Sequence, residues 1–118
     1  MKRSKIKNKK ALFLLGTGLG YQLKALLKRK NSSARIYAIE KHEQVFDKTL
    51  KRQRWQDKEE LSEDVEFMVG QSVEEVLDKL YEVMGELDAD EYEFITNKPS
   101  TRLDPEYYRA INCEKEAE

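Results

Sequence analysis

The chain has 118 residues, of which 39% are hydrophobic and 38% charged, and its formal net charge is −1. This length suits one domain, and the apolar fraction argues against a chain that is disordered throughout. No apolar run reaches the roughly 18 to 20 residues that a membrane span needs. A single Cys and a single His exclude an internal disulfide and argue against a zinc site built by this chain alone.

The charges are unevenly distributed along the chain. Every charged residue in 1–30 is basic, whereas the charged residues in 57–118 are mostly acidic. Residues 1–10 are predicted to be a basic, solvated lead-in, because they lack the interleaved aromatics of a nucleic-acid site and the acidic half would repel phosphates. The apolar stretch that follows is too short for a secretory signal, so we expect a cytoplasmic protein that binds neither nucleic acid nor membrane.

The first half of the chain predicts two strands and two helices. Ala11–Leu15 is a continuous apolar run closed by Gly16, which is typical of a strand buried on both faces of a parallel sheet. Leucines at helical spacing predict a helix over residues 20–30. Arg35–Ile39, with the β-branched Ile36 and Ile39 and the aromatic Tyr37, is the second predicted strand and precedes Glu40. A helix is predicted over residues 43–56.

The second half repeats this alternation. In Val65–Val69, Glu66 and Met68 stand between Val65, Phe67 and Val69, so one face should be more exposed than in the first strand, which indicates a strand near a sheet edge. Ser72 with Glu75 forms a capping box for the next helix, which Gly85 ends. Tyr92–Thr96 is the fourth predicted strand, and residues 97–103 are a predicted loop. Asp104 and Pro105 begin a last helix that runs toward residue 112, followed by a polar tail at 113–118.

Strict alternation of strands and helices predicts the α/β class with parallel strands and right-handed crossovers. We expect residues 11–112 to form a single Rossmann-like domain, a three-layer sandwich around a short parallel sheet of about four strands. The expected strand order is 3-2-1-4, because doubly wound chains move outward from strand one and then reverse. This order leaves a crevice at the carboxyl ends of strands one and four.

A glycine-rich loop lies between the first strand and the first helix. It contains Gly16, Thr17, Gly18, Leu19 and Gly20. Its glycines permit a tight turn and leave backbone N–H groups free to face a ligand, and Glu40 follows the neighbouring strand, where a carboxylate can accept hydrogen bonds from ribose hydroxyls. These six residues are therefore the predicted binding site for an adenosine-type cofactor.

One other interpretation of these residues remains open. A compact strand-to-helix turn can be rich in glycine without holding a ligand. Tyr21 stands where the dinucleotide fingerprint needs Gly or Ala, which argues against NAD or FAD.

His42 has no carboxylate or serine partner visible in the sequence and is predicted to be a surface or helix-start residue, and Cys113 is predicted to be incidental.

The Gly-Thr-Gly-Leu-Gly string resembles the first motif of class I S-adenosylmethionine-dependent methyltransferases, with Glu40 matching their second-strand acid. This resemblance implies S-adenosylmethionine as a candidate cofactor and methyl transfer as the alternative function. Methyl transfer depends chiefly on orientation of the reactants, so it leaves few signatures in a sequence. No acid, base or nucleophile constellation is visible, and whether the chain is an enzyme is left open.

A closer resemblance rests on four segments. They are FLLGTGLGYQLKALL from Phe13, IYAIEKHEQVF from Ile36, VEFMVGQS from Val65 and NKPSTRLDPEYY from Asn97. In this order they resemble the Rossmann-like N-terminal domain of the motility accessory factor family, bacterial proteins associated with flagellin glycosylation by nonulosonic acids. In that family the transferase centre is assigned to a separate central domain.

The resemblance implies a noncatalytic module that binds a nucleotide-like ligand or docks onto a partner. A sheet of four strands leaves the outer edge of strand four unpaired unless something covers it. We therefore expect a catalytic domain or a second copy of the chain at that edge, with the chain acting as a fragment of, or partner to, a flagellin glycosylation protein.

Overall fold

Four parallel strands in the order β3-β2-β1-β4 form the centre of the protein. The computed structural model describes residues 6–56, 61 and 63–117, the segment 113–117 through its backbone alone. The strands are β1 (Ala11–Leu15), β2 (Arg35–Glu40), β3 (Val65–Val69) and β4 (Tyr92–Thr96). The helices are α1 (Tyr21–Arg29), α2 (Glu43–Gln53), α3 (Val73–Met84), α4 (Lys98–Leu103) and α5 (Pro105–Ala117), with a short 3-10 helix at Ala89–Glu91. The predicted fold class and strand order are confirmed.

Strand β1 is fully buried because it pairs on both sides. Leu15 lies opposite Ile39 of β2 and opposite Thr96 of β4, so the carboxyl ends of all three strands meet at one edge of the sheet. Strands β3 and β4 form the two outer edges among the described residues, and both are less buried than β1. The alternating pattern of β3 thus correctly indicated an edge position.

Successive residues of β1 point into two separate cores, which makes the molecule a three-layer sandwich. Phe13 and Leu15 pack with α3 and α5, whereas Leu12 and Leu14 pack with α1. The Phe13 ring contacts the rings of Tyr37 and Phe94, with centroids 5.4 and 4.8 Å apart. Burial of these apolar faces is the main stabilising term for the layers.

The sequence located most helix ends correctly. Helix α3 begins with the predicted capping box, in which Ser72 accepts from the Glu75 N–H and Glu75 accepts from the Ser72 N–H, and Gly85 follows its last turn. Helix α2 ends at Gln53, earlier than predicted, because Arg54 adopts a left-handed φ of 61°. No described helix has the length and apolar content required to cross a bilayer.

Two predictions near the end of the chain were wrong. Residues 98–103 of the predicted loop 97–103 form helix α4, since the side chain of Asn97 accepts from the Ser100 N–H and Pro99 lies in the first turn, where its missing N–H costs nothing. Helix α5 continues to Ala117, so most of the segment predicted as a polar tail is helical.

The start of the chain is more than a solvated lead-in. Ile6 is 1% exposed and packs with Leu12 and Leu14, and Lys9 donates from Nζ to the Asp90 carbonyl at 2.6 Å. Residues 1–5 lie outside the described part of the chain. At least Ile6 and Lys9 therefore belong to the packed unit that was predicted to begin at Ala11.

Candidate functional site

The glycine-rich loop connects β1 to α1, and its glycines occupy positions at which a residue with a side chain would not fit. Gly16, Gly18 and Gly20 all have positive φ. The Gly16 N–H donates to the Ile39 carbonyl at 2.7 Å, which continues the β1–β2 pairing by one residue, and the Gly20 N–H donates to the Thr17 carbonyl at 2.9 Å, which closes a turn. The loop is thus a tight turn built from backbone hydrogen bonds, as the sequence predicted.

Helix α4 lies directly over this loop. A Cβ placed on Gly16 would come within 2.2 Å of the Ser100 Cβ, and a Cβ on Gly18 would lie 3.0 Å from the Asn97 amide. The Gly18 N–H donates to the Ser100 hydroxyl oxygen at 3.0 Å. The space that the sequence assigned to a ligand is occupied here by the protein's own side chains, and the Gly18 amide, like those of Gly16 and Gly20, is already bonded within the protein.

Glu40 is buried at the end of β2, with 1% of its surface exposed. Its Oε1 accepts from the Thr17 N–H at 2.9 Å and from the Thr17 hydroxyl at 3.2 Å. Its Oε2 accepts from the His42 N–H at 3.0 Å and from the Tyr108 hydroxyl at 3.3 Å. An ionised carboxylate has about four acceptor positions, and four protein donors fill them.

Helix α2 supports the loop from the opposite side. The Thr49 hydroxyl donates to the Gly18 carbonyl at 2.7 Å and lies 2.9 Å from the Thr17 hydroxyl. Gln53 donates from Nε2 to the Leu19 carbonyl at 2.9 Å. Because Thr17 and Thr49 are both fully buried, these polar contacts are shielded from water and hold the loop firmly against the helix.

A second group of charged residues lies beside Glu40 on the α5 side. Lys41 Nζ is 2.5 Å from Asp104 Oδ2, and His42 Nε2 is 3.5 Å from the same oxygen. The Lys41 hydrogen bond is the main reason that the pKa of Asp104 is lowered, with a further contribution from the Tyr107 N–H. His42 begins α2 as predicted, but it has a carboxylate neighbour that the sequence did not reveal.

Two tyrosines of α5 link this charged group to the sheet. The Tyr107 hydroxyl donates to the Gln71 carbonyl at 2.8 Å, and the Tyr108 hydroxyl accepts from the Lys41 N–H at 3.1 Å while donating to Glu40. Burial raises the pKa of Tyr107 to about 12 and raises that of Tyr108 further. Both phenols therefore stay protonated at neutral pH and act as fixed hydrogen-bonding groups.

The structure brings all six predicted site residues together around one turn. Thr17 and Glu40 are in direct contact, and Leu19 is 44% exposed at the rim. The sequence did not identify Thr49, Ser100 or Tyr108 as members of this cluster. Whether the six residues bind a cofactor stays a prediction, and their described contacts are internal. Within the described residues no cluster of His, Cys, Asp and Glu is arranged to hold a metal ion.

Comparison with known proteins gives a family match and distant structural likenesses. Residues 2–90 match the family model described as the glycosyltransferase Maf N-terminal domain, and no curated protein matches the chain. A solved structure, the O-methyltransferase TomG from Streptomyces achromogenes, involved in tomaymycin synthesis and in complex with SAM, is similar at 20% identity and a TM-score of 0.48. The likeness covers 92% of this chain and 45% of that chain, so this chain spans less than half the length of that enzyme.

Glu40→Gln should destabilise the fold by about 1.5 to 3 kcal/mol, the usual contribution of hydrogen bonds to a charged group. The amide NH₂ that replaces one oxygen is a donor, and it would face a donor at Thr17 or His42. Urea unfolding measures the loss. Glu82→Gln, on the exposed face of α3, is the matched control and should stay within about 0.5 kcal/mol of the wild type. Equal stability of the two variants would contradict a structural role for Glu40.

Proposed function

The chain belongs to the family of the Maf glycosyltransferase N-terminal domain, and we propose that it is a noncatalytic docking module of a flagellin glycosylation protein. The family match supports the association with glycosylation. The contacts within the chain support the noncatalytic role. We assign no glycosyl-transfer step to any of its residues, and we propose that it acts in the cytoplasm.

The closed glycine loop is the observation on which this proposal rests. Ser100 bonds the Gly18 amide, and Glu40 has both oxygens saturated by the protein. A nucleotide at this loop would have to displace α4 and compete for acceptor positions that are buried and filled. An exchange of this kind gains little free energy, because each new hydrogen bond replaces one that already exists.

The titratable groups next to the loop are also engaged. Asp104 pairs with Lys41, and His42 lies beside the same carboxylate. Tyr107 and Tyr108 are held protonated by burial. A general base needs an accessible lone pair within reach of a substrate, and in the described part of this region each candidate is already in contact with another protein group.

Docking is proposed at the outer edge of β4. The strand pairs with β1 on one side only within the described sheet, and of its residues Ile95 alone is buried. The outer strand of a sheet is a common place for a further strand or a covering element to attach. The proposed occupants are the catalytic domain of the glycosylation protein or a second copy of this chain.

S-adenosylhomocysteine should give no binding heat up to about millimolar concentration in titration calorimetry, because the loop is closed and Glu40 is saturated. Ser100→Gly, which removes the hydroxyl that bonds the Gly18 amide, should also give no binding heat, since Glu40 stays buried. Heat from the wild type that Glu40→Ala abolishes would favour the methyltransferase alternative and would assign the ribose contact to Glu40.

Loss of this chain in the bacterium that encodes it should lower the intact mass of flagellin by the mass of its glycans. The deletion is complemented with the wild-type chain and with the exposed-surface variant Glu82→Gln, both of which should restore the glycosylated mass. Mass spectrometry of purified flagellin gives the readout. An unchanged flagellin mass in the deletion strain would refute the association with flagellin glycosylation.

A further inference from the structure

An open cavity of about 350 Å³ lies at the carboxyl ends of β1 and β4. Leu15 and Thr96, the last residues of these two strands, form its floor, and α4 and α5 form its walls. The chain adds β2 and β3 on one side of β1 and then adds β4 on the other side, so the order in which strands join the sheet reverses between β1 and β4. Ligands of open α/β sheets bind in the crevice at this point.

The cavity is lined by cationic and neutral polar groups beside an apolar surface. Its lining residues are Leu15, Thr96, Thr101, Arg102, Pro105, Tyr108, Arg109 and Asn112. Two of them are arginines, and among the described lining residues there is no carboxylate. Guanidinium groups bind carboxylates and phosphates through two parallel hydrogen bonds, which makes a pair of arginines in one cavity a natural oxyanion site.

Both arginines are available to a ligand. Arg102 and Arg109 are exposed, and neither lies within 4.0 Å of a carboxylate among the described side chains. The nearby Asp104 is occupied by Lys41 and His42. Two like charges facing one cavity repel each other, and an anion bound between them would remove that repulsion.

The remaining lining suits the body of a small molecule. The Tyr108 hydroxyl is bonded to Glu40 and to the Lys41 N–H, so the ring is the part of Tyr108 left for the cavity. Pro105 is the exposed apolar residue of the lining, Leu15 and Tyr108 being 1% and 2% exposed, while Thr96, Thr101 and Asn112 supply hydroxyl and amide groups. The volume is at the lower end of the roughly 300 to 1,000 Å³ of small-molecule sites, which fits a ligand the size of a nucleoside monophosphate.

We propose that this cavity binds a small molecule through an oxyanion, a phosphate monoester or a carboxylate, held by Arg102 and Arg109. The site is separate from the glycine loop, whose Gly18 amide is bonded to Ser100. At this site the positive charge that attracts an anion comes from arginines on α4 and α5, and not from the backbone N–H groups of the glycine loop. The inference goes beyond the docking role and requires no reaction.

The test uses four probes, adenosine 5′-monophosphate, adenosine, inorganic phosphate and acetate, each titrated to about 10 mM and followed by backbone amide chemical shifts. The monophosphate should bind more tightly than adenosine and should perturb Thr101 and Asn112 rather than residues 16–20. Competition by phosphate or by acetate identifies which oxyanion is preferred. Equal binding of adenosine and its monophosphate, no binding by any probe, or shifts confined to residues 16–20 would each overturn the proposal.

Variants separate a built site from general charge attraction. Arg102→Ala and Arg109→Ala should each weaken binding of the monophosphate about tenfold. Arg102→Lys should weaken it less, because lysine keeps the positive charge but cannot form the two parallel hydrogen bonds of a guanidinium group. Arg52→Ala, an exposed arginine of α2 outside this cavity, is the matched control and should leave the affinity unchanged. Equal losses in all three alanine variants would overturn the proposal. Thermal melts of each variant verify that the fold is intact.

Discussion

The buried carboxylate of Glu40 is the interaction on which this region of the protein depends. Its four donors come from the glycine loop, from the start of α2 and from α5, three segments that are far apart in the sequence. A charge buried without partners would destabilise the fold by several kcal/mol, whereas one with all acceptor positions filled is tolerated and orients its donors. Glu40 therefore determines how the loop, α2 and α5 sit at the end of the sheet.

Helix α4 completes the arrangement and separates two environments at the same edge of the sheet. On the side of β2, Ser100 and Asn97 fill the space over the glycines and use the loop's polar groups. On the side of β4, the same short helix presents Arg102 and Thr101 to an open cavity. A family module with a Rossmann-like sheet thus has a filled glycine loop and an accessible crevice next to it. Because the glycine loop is filled, a structural role is favoured for this motif, although its sequence is typical of a nucleotide-binding site.

Most of the fold could be predicted from local patterns. The unbroken apolar run of β1, the alternation in β3 and the Ser72 capping box each report on short stretches of chain, and strict alternation then determines the parallel order. The proximity of the glycine loop to Glu40 followed from that order, because neighbouring parallel strands end at the same edge.

The contacts that close the site could not be predicted in this way. Ser100 lies 82 residues from Gly18 in the sequence, and Tyr108 lies 68 residues from Glu40. The Ser100 contact depends on α4, a short segment whose proline and polar residues are also typical of a loop, and the Tyr108 contact depends on α5. The Asn97 cap was the one local signal for α4. Burial of Ile6 was equally hidden, because a single apolar residue among lysines carries no periodic pattern.

Hydrogen exchange of the Thr17 and His42 backbone amides, resolved by NMR, tests the central role of Glu40 most directly. Both amides donate to the buried carboxylate, so they should exchange as slowly as amides of β1, and Glu40→Gln should accelerate them more than it accelerates the strand. Rapid exchange of both amides in the wild type, unaffected by the substitution, would show that the carboxylate does not hold the loop closed.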